Sequence, residues 1–481
     1  MRLTLLAGAS ALLLSGCAAT GPAPQSKATQ TASSADTRAK NIIFFLGDGM
    51  GINTLTAARI YAVGEDGELT IDTLPESAFV KTFSNDAQVT DSAASMSAYM
   101  TGVKQNNGVI SMSSDTRAIS PAADANGNKQ VSRCENGRAM PTLAELAKAR
   151  GMAAGVVTTT SVTDATPAAT YAHACHRKIE SDIAAALVPG GAGYNAALGA
   201  NGLDLVFGGG AQFFAPVAQG GKRADGRNLV AELQAKGWRY AADTQQMQAL
   251  AATGQPAIGL FAPNHFSYEA ARDATKQPAL ADMTAKAIDI LSRNPNGFFL
   301  MVEGGLIDHA LHATLAKRAL QETVSYNAAL KVAIDRMNAI DPGLKNTLIV
   351  ATADHDHTLL INGYSPRTGK TTPTNPGVLG LVRSLPDNKI RLDKDGAPFT
   401  ILGFGTGEHR IQGSRKDVQL TDAIASGDDY HQEAVVRTRT GAETHGGADV
   451  YLGAIGANAE LFRGTIDNTR VFNLIKTAGD L

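Results

Sequence analysis

Residues 298–312, FFLMVEGGLIDHALH, join an apolar run directly to a cluster of metal-binding side chains. The five leading apolar residues, with glycines on both sides, predict a buried strand. Asp308 and His312 lie four positions apart, on one face of a helical turn, where a single zinc ion can bind both. Glu303 offers oxygen to a second, harder ion. A solvated helix start with a capping aspartate is the simpler interpretation of the same residues.

Two further apolar runs also end in acids. Residues 41–48, NIIFFLGD, and residues 347–354, TLIVATAD, both finish at an aspartate, and His355 follows the second. In α/β sheets, ligands bind at the carboxyl edge of the strands because the loops leaving that edge converge. His445 stands in a later ETHGG segment. The sequence therefore predicts an α/β fold with one site at this edge.

The charge balance argues against a polyanionic partner. The chain has 43 Lys and Arg against 45 Asp and Glu, which leaves no basic excess to bind nucleic acid. Its length alone would suggest about three domains. Candidate ligands, however, extend from Asp48 to His445 and must meet at one site. We therefore expect one elaborated domain over residues 41–481.

The amino terminus has the layout of an export signal. Residues 1–16 combine a basic start, an apolar core and small residues, and are too short to span a bilayer. The LSGC segment ending at Cys17 resembles a bacterial lipobox, which implies cleavage before Cys17 and its acylation. A plain secretory signal is the alternative. Residues 17–40 are polar and small and predict a lipidated flexible linker. We expect a periplasmic or cell-surface lipoprotein, anchored to a bacterial membrane.

Export also affects the other two cysteines. Cys134 and Cys175 would lie in an oxidising compartment and have no CxxC spacing, so a disulfide is favoured over a metal site. Two unpaired buried thiols are the alternative, because the sequence does not show that the two Cα atoms approach each other.

Ser92 begins a segment of small residues, SAASMSAYMTG, that predicts a tightly packed helix. The amino terminus of a helix favours a phosphate group, because free N–H groups lie there. No Gly-x-Ser-x-Gly elbow surrounds Ser92. The residues alone therefore leave two roles open for Ser92, a nucleophile and a helix cap.

Seven segments, in the same order, resemble the alkaline phosphatase family and cover residues 41 to 475. They are Gly47-Asp48-Gly49-Met50, Asp91-Ser92-Ala93, Asp164-Ala165-Thr166-Pro167-Ala168, Tyr171-Ala172-His173 with Arg177, Glu303-Gly304 through His312, Ala353-Asp354-His355 and Thr444-His445-Gly446. The resemblance implies a three-layer α/β sandwich around a large, mainly parallel sheet. Residues 358–440, rich in Gly, Pro, Asp and Thr, are expected to form an inserted surface lobe.

The resemblance also implies a set of site residues. Ser92 would be the nucleophile that becomes phosphorylated, and Arg177 would bind two phosphate oxygens. Two zinc ions and one magnesium ion are implied as cofactors. The zinc ligands would be Asp308, His312 and His445 for one ion and Asp48, Asp354 and His355 for the other, and the magnesium ligands Asp48, Thr166 and Glu303.

The other histidines receive lesser roles. His357 is expected to hydrogen bond to a ligating carboxylate. The rest are interpreted as ordinary core or surface residues: His173, His176, His265, His409 and His431.

Asp164 and His309 mix two patterns of the family. Enterobacterial relatives carry Asp and Lys at these positions, and animal relatives carry His at both. Thr166 and Asp308 are implied metal ligands close by in sequence, so the resemblance places Asp164 and His309 beside the bound phosphate. We expect both to contribute to substrate binding.

The function that the resemblance implies is hydrolysis of small-molecule phosphate monoesters. A homodimer is a further expectation, which the sequence does not decide. A sulfatase would need a C/S-x-P-x-R segment, which no cysteine of this chain provides. A related phosphodiesterase would lack Arg177 and the third metal set. A zinc-storing surface lipoprotein would use the metal ligands but neither Ser92 nor Arg177.

Overall fold

The apolar run before Glu303 folds as a strand, as the sequence predicts. The computed structural model describes residues 38–118, 134 and 136–481. In it Phe298–Gly304 is buried along its whole length. The predictions for the signal peptide and for Cys17 lie outside the described residues.

The strands of the described residues are short, with lengths from two to nine residues. In chain order they are β1 Asn41–Gly47, β2 Glu76–Lys81, β3 Ala153–Ser161, β4 Leu205–Gly209, β5 Arg239–Ala241, β6 Ala257–Leu260, β7 Phe298–Gly304, β8 Thr347–Ala353, β9 Asp356–His357, β10 Leu359–Ile361, β11 Leu402–Gly407, β12 Ala434–Arg437, β13 His445–Gly446, β14 Val450–Gly456 and β15 Gly464–Asp467.

Ten strands form one sheet in the order β15-β2-β14-β8-β1-β7-β3-β4-β6-β5. In this spatial order, every pair of neighbouring strands from β8 through β1, β7, β3, β4 and β6 to β5 is parallel. Strand β14 is antiparallel to both β8 and β2. The prediction of a large, mainly parallel α/β sheet is confirmed.

The helices connect these strands and cover the sheet. In chain order they are α1 Ile52–Val63, α2 Ser92–Thr101, α3 Leu143–Ala149, α4 Ala165–Ala168, α5 Glu180–Ala185, α6 Leu229–Ala235, α7 Thr244–Ala249, α8 Leu280–Leu291, α9 Leu306–His312, α10 Ala316–Ile340, α11 Asp422–Ala425 and α12 Asn468–Gly479.

Two aromatic contacts show that helices pack on both faces of the sheet. Adjacent residues of a strand point to opposite faces. Phe44 of β1 packs on Tyr99 of α2, with ring centroids 5.4 Å apart, whereas Phe45 packs on Tyr326 of α10 at 5.8 Å. Helices α2 and α10 therefore lie in different layers, with the sheet between them.

Cys134 and Cys175 form a disulfide, with their Cα atoms 5.4 Å apart. The bond that the sequence favoured is thus present. Cys175 lies two residues before Arg177, so the disulfide restrains the main chain close to that side chain.

Residues 358–440 contain a small second sheet in the order β10-β11-β12. Long irregular segments connect its strands, as the Gly- and Pro-rich composition suggests. The boundaries of this lobe, of the linker and of the catalytic domain stay predictions. In the part of the chain that the structure describes, no helix has both the length and the apolar character needed to cross a bilayer.

Candidate active site

Three acids meet at the carboxyl edge of the sheet. Strand β1 ends level with β7 and β8 in the parallel register. Asp48 follows β1, Asp354 follows β8, and Glu303 is the penultimate residue of β7, all three buried. Gly49 turns the chain with φ +65°, and a Cβ there would collide with the ring of His357. The sequence thus needs glycine beside the first acid.

Ser92 is the first residue of α2, and it is buried beside these acids. The helix cap is Asp91, whose side chain accepts a hydrogen bond from the Ala94 N–H at 3.0 Å. Ser92 Oγ lies 3.4 Å from Asp48 Oδ1 and 3.2 Å from Nε2 of His355. Capping is therefore the role of Asp91, and the Ser92 hydroxyl faces the acids.

Three imidazoles at the site are turned the same way. In each, Nδ1 contacts a main-chain carbonyl oxygen, at 2.5 Å for His312, 2.8 Å for His445 and 3.2 Å for His355. A carbonyl oxygen can only accept, so Nδ1 carries the hydrogen and Nε2 presents its lone pair. Metal-ligating histidines are held in this way.

The lone pairs of two of these rings converge on one carboxylate. Nε2 of His312 and Nε2 of His445 lie 3.3 and 3.5 Å from Asp308 Oδ1, and 3.1 Å from each other. Asp308 and His312 share α9, as their spacing predicts. Antiparallel pairing of β13 with β9 brings His445 to them from far along the chain.

A second group of potential metal-ligand atoms lies around Nε2 of His355. Its Nε2 lies 3.3 Å from Asp48 Oδ1 and 3.4 Å from Asp354 Oδ2. Asp354 Oδ2 is buried without a hydrogen-bond partner among the described residues. Burial and the charge of Asp48 raise the pKa of Asp354 well above its usual range. Both groups, which combine nitrogen and oxygen donors, fit a cation such as zinc.

His357 differs from these three rings. Its Nε2 lies 2.8 Å from Asp308 Oδ1, and its Nδ1 contacts the carboxylate of Glu443. Burial lowers the pKa of His357, but Glu443 and Asp308 outweigh it and raise the pKa to about 10. His357 therefore donates from both nitrogens and supports a carboxylate, as expected. Sequence reasoning assigned no role to Glu443, since it has no recognisable spacing to His357.

The three side chains expected to bind magnesium through oxygen atoms, those of Asp48, Thr166 and Glu303, are all buried. Thr166 Oγ1 donates to Asp48 Oδ2 at 3.2 Å. Glu303 Oε2 instead accepts from Thr158 and, at 3.2 Å, from Thr160 of β3. Burial and Asp48 raise the pKa of Glu303 well above its usual range. An all-oxygen set of this kind fits a hard ion.

Arg177 bridges two acids near Ser92. Its Nη1 donates to Asp91 Oδ2 at 3.2 Å and its Nη2 to Asp164 Oδ1 at 3.3 Å. Its Nε is buried without a hydrogen-bond partner among the described residues. Burial lowers the pKa of Arg177, but Asp91 and Asp164 outweigh it and keep the guanidinium charged.

His309 and His265 flank Asp164 on its other side. Nε2 of His309 and Nδ1 of His265 each lie 3.9 Å from Asp164 Oδ2, and the two rings meet edge to face at 4.5 Å. Nδ1 of His265 accepts from the Ser161 N–H at 3.1 Å. The interpretation of His265 as an ordinary residue overlooked this contact, because its loop carries no motif.

Comparison with known proteins agrees with this geometry. The family model described as alkaline phosphatase matches residues 39–481. A membrane-bound alkaline phosphatase of Bombyx mori is 36% identical over 90% of this chain and 78% of its own length. The tissue-nonspecific alkaline phosphatase of Homo sapiens is 34% identical, over 90% and 82%.

Solved structures agree as well. A cold-active alkaline phosphatase of a Shewanella species superposes with a TM-score of 0.62 at 26% identity, over 91% of this chain and 99% of that chain. The Thermus thermophilus alkaline phosphatase shares the fold, with a TM-score of 0.64 at 24% identity, over 92% and 91%. This protein belongs to the alkaline phosphatase family.

Proposed function

We propose that the enzyme hydrolyses phosphate monoesters through a phosphoserine intermediate at Ser92. The observation that carries this proposal is the position of Ser92 Oγ. It lies at the amino terminus of α2, within 3.4 Å of Asp48 and 3.2 Å of His355. A zinc-storing protein would have no use for a buried hydroxyl at this point.

We further propose that the nitrogen and oxygen ligand atoms at this edge of the sheet hold two zinc ions and one magnesium ion. One zinc set is Asp308, His312 and His445, the second is Asp48, Asp354 and His355, and the magnesium set is Asp48, Thr166 and Glu303. When bound, the ions supply positive charge that stabilises the attacking and leaving oxygens.

Ser92 acts as the nucleophile. Both neighbours of its Oγ, Asp48 Oδ1 and His355 Nε2, are acceptors, so either can hold the hydroxyl hydrogen while an Oγ lone pair faces phosphorus. Oγ loses its proton and attacks phosphorus, the bond to the ester oxygen breaks, and that oxygen takes up a proton and leaves as the alcohol. Water then cleaves the phosphoserine, which releases inorganic phosphate and restores the hydroxyl.

The bound phosphate would be surrounded by three side chains, those of Arg177, Asp164 and His309. The guanidinium can donate to two phosphate oxygens once the group is bound. Its Nε, which is buried and unpartnered among the described residues, is one available donor. Asp164 orients the guanidinium through Nη2, and His309, which contacts Asp164, lies at the more exposed edge.

Side-by-side rates for an aryl phosphate monoester, a phosphate diester and an aryl sulfate test this function. The monoester should be hydrolysed at least about a hundredfold faster than the other two. A preference for the diester would favour the phosphodiesterase alternative. Stoichiometric zinc binding without any turnover would favour the zinc-storing alternative.

The amino-terminal predictions complete the proposal. Residues 1–16 would be removed on export, and acylated Cys17 would anchor the catalytic domain through the linker that ends at residue 40. The support is the LSGC segment together with the polar composition that follows it. A homodimer remains an expectation from the family.

A further inference from the structure

The loop after β6 brings His265 to the edge of the site and holds it there. On one side the Asn264 carbonyl accepts from the N–H of Gly210, the residue after β4, at 2.7 Å. On the other side the Phe266 N–H donates to the carbonyl of Thr159 in β3 at 3.0 Å. Two strands of the large sheet therefore fix the main chain on both sides of the His265 ring.

The His265 ring is turned differently from the imidazoles of the proposed metal sets. The Ser161 N–H donates to its Nδ1 at 3.1 Å, so in the neutral ring Nδ1 carries the lone pair and Nε2 the hydrogen. Burial lowers the pKa of His265 to about 4, although the charge of Asp164 opposes this change. Because the Nδ1 lone pair already accepts the Ser161 hydrogen, His265 is not a free ligand for a cation.

The His309 ring lacks a hydrogen bond that would fix it in this way. Its Nε2 lies 3.9 Å from Asp164 Oδ2, which is too far for a direct hydrogen bond. In the part of the chain that the structure describes, no other group hydrogen bonds to this ring. The ring of His265 meets it edge to face, with centroids 4.5 Å apart and planes inclined by 82°. This aromatic contact, rather than a hydrogen bond, restrains the direction of the His309 ring.

Since the proposed function places phosphate beside Asp164 and His309, we infer that His265 is a positioning residue that holds the His309 ring beside the bound phosphate group. The main chain of His309 is fixed in α9, but its side chain has several rotamers. The contact with His265 favours one of them in the free enzyme, so phosphate binding need not order the side chain. In this role His265 acts through His309 and needs no contact with phosphate of its own.

A cycle of single and double substitutions tests this role in the enzyme loaded with zinc and magnesium. The probe is inorganic phosphate, measured by calorimetric binding and by competitive inhibition of aryl phosphate hydrolysis. His265→Ala should weaken phosphate binding about threefold, the size expected for the loss of one aromatic contact. In a His309→Gln background the same substitution should have no further effect, because the ring that His265 positions is gone.

Two further variants separate the ring contact from the hydrogen bond to Ser161. His265→Phe keeps an aromatic ring but has no acceptor for the Ser161 N–H, and it should bind phosphate like the parent. His265→Asn keeps an acceptor close to the position of Nδ1 but has no ring, and it should weaken binding as alanine does. The control is His409→Ala, which removes a half-exposed histidine from the lobe and should leave phosphate binding unchanged.

Additive effects of His265→Ala and His309→Gln would overturn this role, and so would full phosphate binding by His265→Asn, because both outcomes mean that His265 only supports its loop. The asparagine variant decides the matter if the phenylalanine variant does not fold. Monoester turnover and the burst of alcohol release are recorded in parallel. A burst together with additive effects would contradict the role of His265 and leave the proposed function intact, whereas a parent enzyme without monoester turnover would overturn both.

Discussion

His312 and His445 face each other with their Nε2 atoms 3.1 Å apart. In sequence the two residues are separated by the whole lobe of residues 358–440. Each ring donates from Nδ1 to a main-chain carbonyl, so both Nε2 atoms present lone pairs. Two lone pairs at this distance, both near Asp308, repel unless a cation or a proton lies between them. Burial lowers the pKa of both histidines, which disfavours the proton. A cation bound between the two Nε2 atoms would remove this repulsion.

Removal of metal should therefore abolish activity. We expect a chelator to inactivate the enzyme, and zinc together with magnesium to restore it better than either ion alone. The measurement is turnover of an aryl phosphate after dialysis and stepwise metal addition. Full recovery with magnesium alone would show that the two-zinc assignment is wrong.

Ser92→Ala should abolish the burst of alcohol release, because the covalent intermediate cannot form. Steady-state turnover should fall about a thousandfold or more. Zinc and magnesium content should stay near that of the parent, since Ser92 is in none of the three proposed ligand sets. Rapid-mix kinetics and metal analysis check both statements, and retention of most of the turnover would exclude Ser92 as the nucleophile.

His309→Lys should slow product release. Lysine keeps its positive charge up to about pH 10 and would attract inorganic phosphate beside Asp164. Because the position is partly exposed, we expect phosphate inhibition to tighten only about twofold to fivefold. Since product release limits many efficient enzymes, kcat should fall at alkaline pH. His309→Gln is the uncharged control. An unchanged inhibition constant in His309→Lys would place this residue outside the phosphate surroundings.

The pair of buried Glu145 and partly buried His173 should make stability depend on pH. Nε2 of His173 lies 2.6 Å from Glu145 Oε1, and its Nδ1 lies 2.7 Å from the carbonyl of Ser111. Burial lowers the pKa of His173, but Glu145 and the carbonyl raise it above its usual 6.5. Burial raises the pKa of Glu145, but His173 and other donors bring it below its usual 4.5.

The sign of each contribution follows from these directions. The His173 contribution is complete below about pH 6.5 and is lost as the pH rises through the raised pKa. The Glu145 contribution is complete above about pH 4.5 and is lost as the pH falls through the lowered pKa. Between pH 6 and 9, the urea midpoint of the parent should fall further than that of His173→Gln. Equal losses in both proteins would mean that the pair does not titrate as described.

Cys17→Ser should release the enzyme from the membrane fraction, because acylation requires the sulfur. Activity per molecule should not change, since the catalytic domain begins beyond the linker. Fractionation of expressing bacteria checks this outcome. A variant that stays with the membrane would contradict the lipobox interpretation.

Much of the site follows from local sequence. Asp48, Glu303 and Asp354 end apolar runs, and a buried strand that ends in an acid is recognisable without its neighbours. Asp308 and His312 are recognisable for the same reason, since helical spacing is local. The contacts of His265 with Asp164 and His309 were missed, because its loop has no periodicity that indicates where a side chain points.

The sequence by itself determined the α/β architecture, the acids at the strand ends and the helix that begins at Ser92, because hydrophobic periodicity and capping act over a few residues. The tertiary structure alone decided how the imidazoles are turned. It set His357 between Asp308 and Glu443, and it brought His445 to His312 through the pairing of β9 with β13. These relations depend on hydrogen bonds between segments far apart in the chain, and no local pattern encodes such partners.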